Sequence, residues 1–162
     1  MLLFLRVVTA LALAAWFGGM LFFGMGVAPV AFGVLPDRVL AGNVVNGAMA
    51  RLHMLAYVAA GLTLLAFAVR ATIEPAALRL ITGFKATLIV LMLGLTLFSG
   101  MWLSPTLAEM RQTHGAIDQL PAGDPIKDRF GALHRLSVTV MGVTMVGVLA
   151  VIVLEQVRGP KV

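Results

Sequence analysis

The sequence predicts an all-α fold: an integral membrane four-helix bundle with antiparallel up-down topology, built as one domain over residues 1–162. Three observations carry this. Of the 162 residues, 60% are hydrophobic and only 12% charged, with a mean hydropathy of +1.02, whereas a soluble domain carries about 25% charged residues. Four apolar runs each reach the roughly 20 residues that a helix needs to cross about 30 Å of hydrocarbon. No window alternates with a period of two, which excludes the strands of a membrane barrel.

The first span covers residues 3–35. Its opening, with Ala12 and Ala14, has the look of a cleavable signal, but the apolar stretch continues well past that point and reads as a retained helix. The run is too long to stand upright, so a tilt or a bend is expected where Pro29 removes a backbone donor. Gly18, Gly19, Gly24 and Gly26 are costly in a soluble helix, yet in lipid they allow close approach of a neighbour. Ala15-x-x-x-Gly19 and Gly24-x-x-x-Ala28 have the spacing of such a packing face.

Pro36 and Asp37 break this element. A semi-polar stretch leads into the second span, 44–69, and a short turn joins it to the third, 80–103, whose far end carries Trp102, Ser104 and Pro105. Residues 106–129 form the polar connection, expected as a loop that begins as a continuation of span three. The fourth span, 130–154, is followed by Arg158, Gly159, Pro160 and Lys161. Neither a second domain nor an internal repeat is expected. With both termini cytoplasmic, Arg6, Arg70, Arg79, Arg158 and Lys161 lie inside against Arg38, Arg111, Lys127 and Arg129 outside. Five against four favours that orientation, in a bacterial inner membrane.

A net charge of +5 comes with no basic run, so nucleic-acid binding is excluded in favour of contact with the lipid bilayer. The absence of cysteine removes disulfides, thiolate metal sites and cysteine nucleophiles. Intramembrane charge is expensive, which singles out Arg51, Lys85 and Arg135 together with His53 and His134. Arg51 and Arg135 are expected to snorkel to headgroups. Asn46, Met49, His53 and Tyr57 share one face of helix two, and Phe130, His134, Ser137 and Met141 one face of helix four. The two histidines can therefore meet, and as neutral imidazoles they can ligate haem iron or copper, with Met49 and Met141 suited to copper(I). No Ser-His-Asp set, GxSxG, HExxH or phosphate loop occurs, so no catalytic residue is assigned.

Trp16-x-Gly18-Gly19, Ala28-Pro29-x-x-Phe32, Ala41-Gly42, Pro105 with Arg111, and Phe130-x-x-Leu133-His134-x-Leu136-Ser137 together form a pattern that resembles the bacterial four-helix membrane family called domain of unknown function 4149, itself similar to eukaryotic transmembrane protein 205. The resemblance covers nearly the whole chain and implies the fold and a membrane location. It carries no established activity, and it singles out Trp16, Gly18, Gly19, Pro29, Phe32, His134 and Ser137. The asparagine that the resemblance implies a few residues after Ser137 is replaced by Met141 or Gly142. A looser similarity to copper-resistance and haem-related four-helix membrane proteins rests on the tryptophan-glycine opening of the first span.

The leading expectation is a non-enzymatic interaction or accessory subunit, packing through the small residues of helix one against another membrane protein or a second copy of itself. The alternative is a haem- or copper-binding protein using His53 and His134. A third is a small transporter acting as an oligomer, against which stands the expectation that no span buries a carboxylate to relay protons.

Overall fold

The structure, a computed structural model, describes residues 1–73 and 75–156. Among the described residues there are four helical rods long and apolar enough to cross a membrane: Leu2–Val34, Arg38–Ile73, Leu78–His114 and Pro125–Gln156. The first is α1 (Leu2–Phe22), a π-helical turn (Phe23–Val27) and α2 (Ala28–Val34); the second is α3 (Arg38–Ile73). The third consists of α4 (Ala76–Phe98), a second π-turn (Ser99–Leu103) and α5 (Ser104–His114); a short 3₁₀ turn follows before α6 (Pro125–Gln156). Neighbours pack in a ring, α1 on α3, α3 on α4, α4 on α6 and α6 back on α1. Leu13, Trp16, Phe67, Ile89, Val148 and Val151 fill its middle. The chain is an integral membrane four-helix bundle.

The helices run further than the apolar spans alone imply. Most of 106–129 is helical, leaving 115–124 as the connection, because Pro105 sits in the first turn of α5, where its missing N–H costs nothing. Gly115, with φ of 64°, ends α5, and Asp124 Oδ1 caps α6 by accepting from the Ile126 amide at 2.8 Å. Asp37 does the same for α3, accepting from the Val39 amide at 2.7 Å. Glu74, Arg158, Gly159, Pro160 and Lys161 lie outside the described residues.

The expected bend in span one falls just before Pro29, as a π-turn. Proline has no N–H to give, so the ladder skips a residue and the Ala28 amide reaches back to the Phe23 carbonyl. Span three repeats the arrangement before Pro105, where the Ser104 amide reaches the Ser99 carbonyl.

Those matching π-turns overturn the expectation of no repeat. Gly18-x-x-Leu21-Phe22-x-Gly24-Met25-x-x-x-Pro29 recurs as Gly94-x-x-Leu97-Phe98-x-Gly100-Met101-x-x-x-Pro105, and Leu52-His53-x-Leu55 with Gly61-x-Thr63 recurs as Leu133-His134-x-Leu136 with Gly142-x-Thr144. Burial follows the same correspondence. Leu13 and Ile89, Trp16 and Met92, Met20 and Thr96, and Phe23 and Ser99 are buried in pairs, as are Ala56 and Ser137, Thr63 and Thr144, and Phe67 and Val148. Each half is thus a bent helix followed by a straight one. The packing ring obeys a two-fold pseudo-axis along the bundle, since exchanging α1 with α4 and α3 with α6 maps every interface onto another.

One end of the bundle is locked by charge. Glu155 accepts from Arg70 Nη1 and from Lys85 Nζ, each at 2.8 Å, which ties α3, α4 and α6 together. Lys85 is 4% exposed and the Glu155 side chain 11%, so a carboxylate is drawn largely into the bundle here after all. Its place near the end of an apolar run concealed it, because only tertiary packing brings the two cations to it. Removing one member of such a set leaves charge buried without its counter-charge and costs about 3–5 kcal/mol. Glu155→Gln is therefore expected to lower the thermal unfolding midpoint in detergent sharply, while Arg51→Gln, on the exposed side of α3, leaves it within a degree or two.

Candidate functional site

The two halves present two equivalent slots, each formed where a histidine of one half meets the π-turn of the other. They are filled differently. In the first, His53 stacks on Tyr57 with ring centroids 6.3 Å apart, and both lie over Gly100. A Cβ added at Gly100 would collide with the Tyr57 hydroxyl and lie 3.1 Å from His53 Nδ1, so only glycine admits the pair. Further in, Trp16, Met20, Met49, His53 and Thr96 border a separate void of about 20 Å³ that Tyr57 and Gly100 do not line, room for a water molecule and little else.

In the second slot His134 faces the π-turn containing Gly24. The residue that corresponds to Tyr57 is Val138, which is too short to reach across, and the slot stays open as a cavity of about 330 Å³. That lies within the roughly 300–1,000 Å³ of small-molecule sites. Backbone packing differs to match: α5 packs on both α3 and α6, whereas its counterpart α2 packs on α3 and stands off α6. Gly24, Pro29, Phe32 and Val138, on the two edges of this gap, are exposed. The cavity therefore opens sideways, between α2 and α6. At its inner end it closes where Met141 Cε comes within 3.6 Å of the Cβ position of Gly24.

Arg111 forms the head of the cavity. Its guanidinium carbon lies 4.9 Å from the centroid of Phe130 and 5.7 Å from that of Phe32, a cation held over two ring faces. Gly42 makes space for it, since a Cβ there would lie 2.7 Å from Nη1. Phe130 also stacks on His134, with planes 2° from parallel. Asn46, Ser104, His134 and Ser137 contribute neutral polar groups to the same walls, and the remainder is apolar.

Residues 11–116 match the family described as domain of unknown function (DUF4149). The chain belongs to that family. No curated protein and no solved structure matches it. The matched stretch supplies this family member with α2, α3 and α5 around the cavity, including Phe32, Gly42 and Arg111, while His134, Ser137 and Phe130 come from α6 beyond it. Pro29, Phe32, His134 and Ser137, scattered through the sequence pattern, all line one cavity.

The other residues singled out from sequence fall elsewhere. Trp16 is a core side chain, 1% exposed. Gly19 takes Leu52 and Leu55 of α3 at 3.0 and 3.1 Å from its Cβ position, Gly26 lies against Phe22 of its own helix, and Gly18 has nothing within 4 Å. Ala15 is exposed and Ala28 half-buried. Arg51 and Arg135 are exposed, and Arg51 Nη1 donates to the Gly47 carbonyl at 3.0 Å. His53 and His134 line neighbouring cavities that share Met49 and Met141. Among the described residues no three histidine, aspartate or glutamate side chains gather as a metal site.

Arg111 and Tyr57 carry this geometry, and sequence reasoning passed over both roles. Arg111 counted as a loop cation, although the continuation of the helix past Pro105 sets it back over the bundle; the repeat is the signal that would have exposed Tyr57 against Val138. The two glycines give a direct check. Gly100→Ala is expected to destabilise by about 1–3 kcal/mol through overpacking, whereas Gly24→Ala is expected to be neutral or slightly stabilising. Paired thermal melts of the two variants in one detergent measure the contrast.

Proposed function

We propose that the chain is a non-enzymatic, membrane-embedded binding protein whose working part is the cavity under Arg111. One observation carries the reading: of two equivalent slots in a duplicated fold, one is plugged by the chain's own Tyr57 and the other is left open. An unfilled volume of this size is unfavourable for a bundle, because its walls lose dispersion contacts. Occupation by a molecule from outside the chain removes that penalty. The lining supports binding over catalysis. His134 stacks on Phe130, and among the described residues no carboxylate stands in the walls to orient it as a base and no activated nucleophile accompanies it. The location that goes with this reading is a bacterial inner membrane with cytoplasmic termini.

A second reading is favoured by a different surface. Ala10, Ala14 and Gly18 form an outward stripe on α1, with Ala10 and Ala14 exposed and nothing within 4 Å of the Gly18 Cβ position, which suits close approach by a helix of another chain. On that reading the protein is an accessory subunit or a homo-oligomer. Ala14→Leu should then abolish co-purification of a partner after mild solubilisation. The haem or copper reading rests on His53, Met49, Met141 and His134 around the paired cavities, and an absorption spectrum with copper analysis of the purified protein decides it.

The binding reading is tested by filling the cavity. Ser137→Leu projects an isobutyl group into it, and native mass spectrometry of the wild-type protein is expected to show a bound small molecule whose occupancy drops at least five-fold in the variant. Equal occupancy in the two proteins, or no bound molecule in the wild type, counts against the proposal.

A further inference from the structure

We propose that the cavity binds an anionic amphiphile, a carboxylate or phosphate head on an acyl chain, with the head on Arg111 and the chain leaving through the gap between α2 and α6. This rests on the binding reading above and adds the chemistry of the ligand. Four observations converge on it.

The first is charge. Arg111 is set among two phenyl rings and a glycine, and no carboxylate of the described residues lies within ion-pair distance of it. Asp118, across the small hollow behind it, is engaged by Arg38 at 3.3 Å. A cation at a half-dry site in a membrane protein is expensive unless a counter-charge accompanies it. The same bundle supplies that counter-charge where it can, giving Arg70 and Lys85 a shared glutamate. At Arg111 it supplies only the field of Asp118, which acts from beyond ion-pair distance and is already paired with Arg38.

The second observation is the composition of the wall. Among the described residues no acidic side chain lines the cavity, so an anion meets no repulsion from its walls. Asn46, His134 and Ser137 offer hydrogen bonds to head-group oxygens, and Arg111 supplies the counter-charge. The third is the apolar remainder: Phe23, Ala28, Val45 and Met141 would gain nothing from a hydrated inorganic ion but would bury an alkyl chain. The fourth is the route. The opening is lateral, with Gly24, Pro29 and Val138 exposed along it.

Carboxylate and phosphate amphiphiles share this chemistry but come from different sources, a free fatty acid or a membrane lipid, and the test separates them. Purified protein in a neutral detergent is titrated with dodecanoate, with dodecanol of equal chain length, with phosphatidate and with inorganic phosphate, and binding is read by native mass spectrometry. Dodecanoate or phosphatidate is expected to bind about ten-fold or more tightly than dodecanol, the tighter of the two naming the source, and inorganic phosphate is expected to leave no complex. Arg111→Gln should bring the anion and the alcohol to equal affinity, and Ser137→Leu, which keeps the cation, should abolish both. If Arg111→Gln does not fold, Arg111→Lys, which keeps the charge without the planar fork, should retain a reduced preference for the anion. Equal binding of dodecanol and dodecanoate by the wild-type protein, lost in Ser137→Leu, overturns the anionic ligand and leaves the binding function standing. Absence of binding by every probe overturns both. Binding of phosphate alone as tightly as phosphatidate overturns the amphiphile.

Discussion

Inside a bilayer there is no solvent to satisfy a polar group, and the architecture follows from how the chain meets that constraint. Backbone groups are satisfied by unbroken helices, and where Pro29 and Pro105 interrupt the ladder a π-turn restores it one residue further back. Charges are satisfied by Glu155, which two cations from two other helices share. That interaction fixes α3, α4 and α6 against one another at one end of the bundle, and so leaves the variable part of the structure to the other end. Some groups escape the rule: the hydroxyls of Thr9, Thr63 and Thr144 are buried with no partner among the described residues. Two of those three are equivalent under the repeat, which makes the exception a property of the shared half.

Duplication explains why the cavity lies where it does. Two copies of a bent helix and a straight helix, related by a two-fold pseudo-axis, generate two slots of the same construction. Identical residues build both, a histidine on the straight helix and a Gly-Met pair in the π-turn. The halves have diverged at the position four residues after the histidine, Tyr57 in one and Val138 in the other. A phenol covers Gly100 in one slot, while beside the valine the other holds a cavity of about 330 Å³. The tyrosine-to-valine difference, together with the stand-off of α2 from α6, separates a structural site from a candidate binding site, and Arg111, which has Leu35 as its counterpart, adds charge only to the open one.

How much of this was legible in the sequence differs between levels for physical reasons. Hydropathy is additive along a run, so four spans and an all-α fold follow directly from composition and length. The face shared by His134, Ser137 and Met141 follows from helical periodicity, and all three line the open cavity. Tertiary pairing is another matter. Glu155 sits at the end of an apolar run, and nothing local distinguishes a carboxylate at a membrane surface from one folded back between two cations. The repeat was hidden because the two motifs recur at different offsets, 76 residues from Gly24 to Gly100 and 81 from His53 to His134. The extra residues lie between the bent and straight helices of the second half, where α5 lines the cavity. Arg111 was misplaced for the same cause, since Pro105 looked like an end to the helix and instead opens its next segment.

The glycines of helix one show how the constraint and the divergence combine. Read along the chain they form a packing surface, and in the fold they divide. Gly19 seats Leu52 and Leu55 and belongs to the bundle itself. Gly24 belongs to the gap: its equivalent, Gly100, is covered by Tyr57, whereas Gly24 meets only the tip of Met141 and otherwise borders open space. A side chain at that position would begin to fill the cavity from below, and the bend of the π-turn would no longer be matched by free volume beside it. The open slot therefore depends on two small residues in different elements, the glycine of the first π-turn, which the closed slot shares, and the valine of α6, which it does not. Together they leave room that the bundle fills with Tyr57 in the other half.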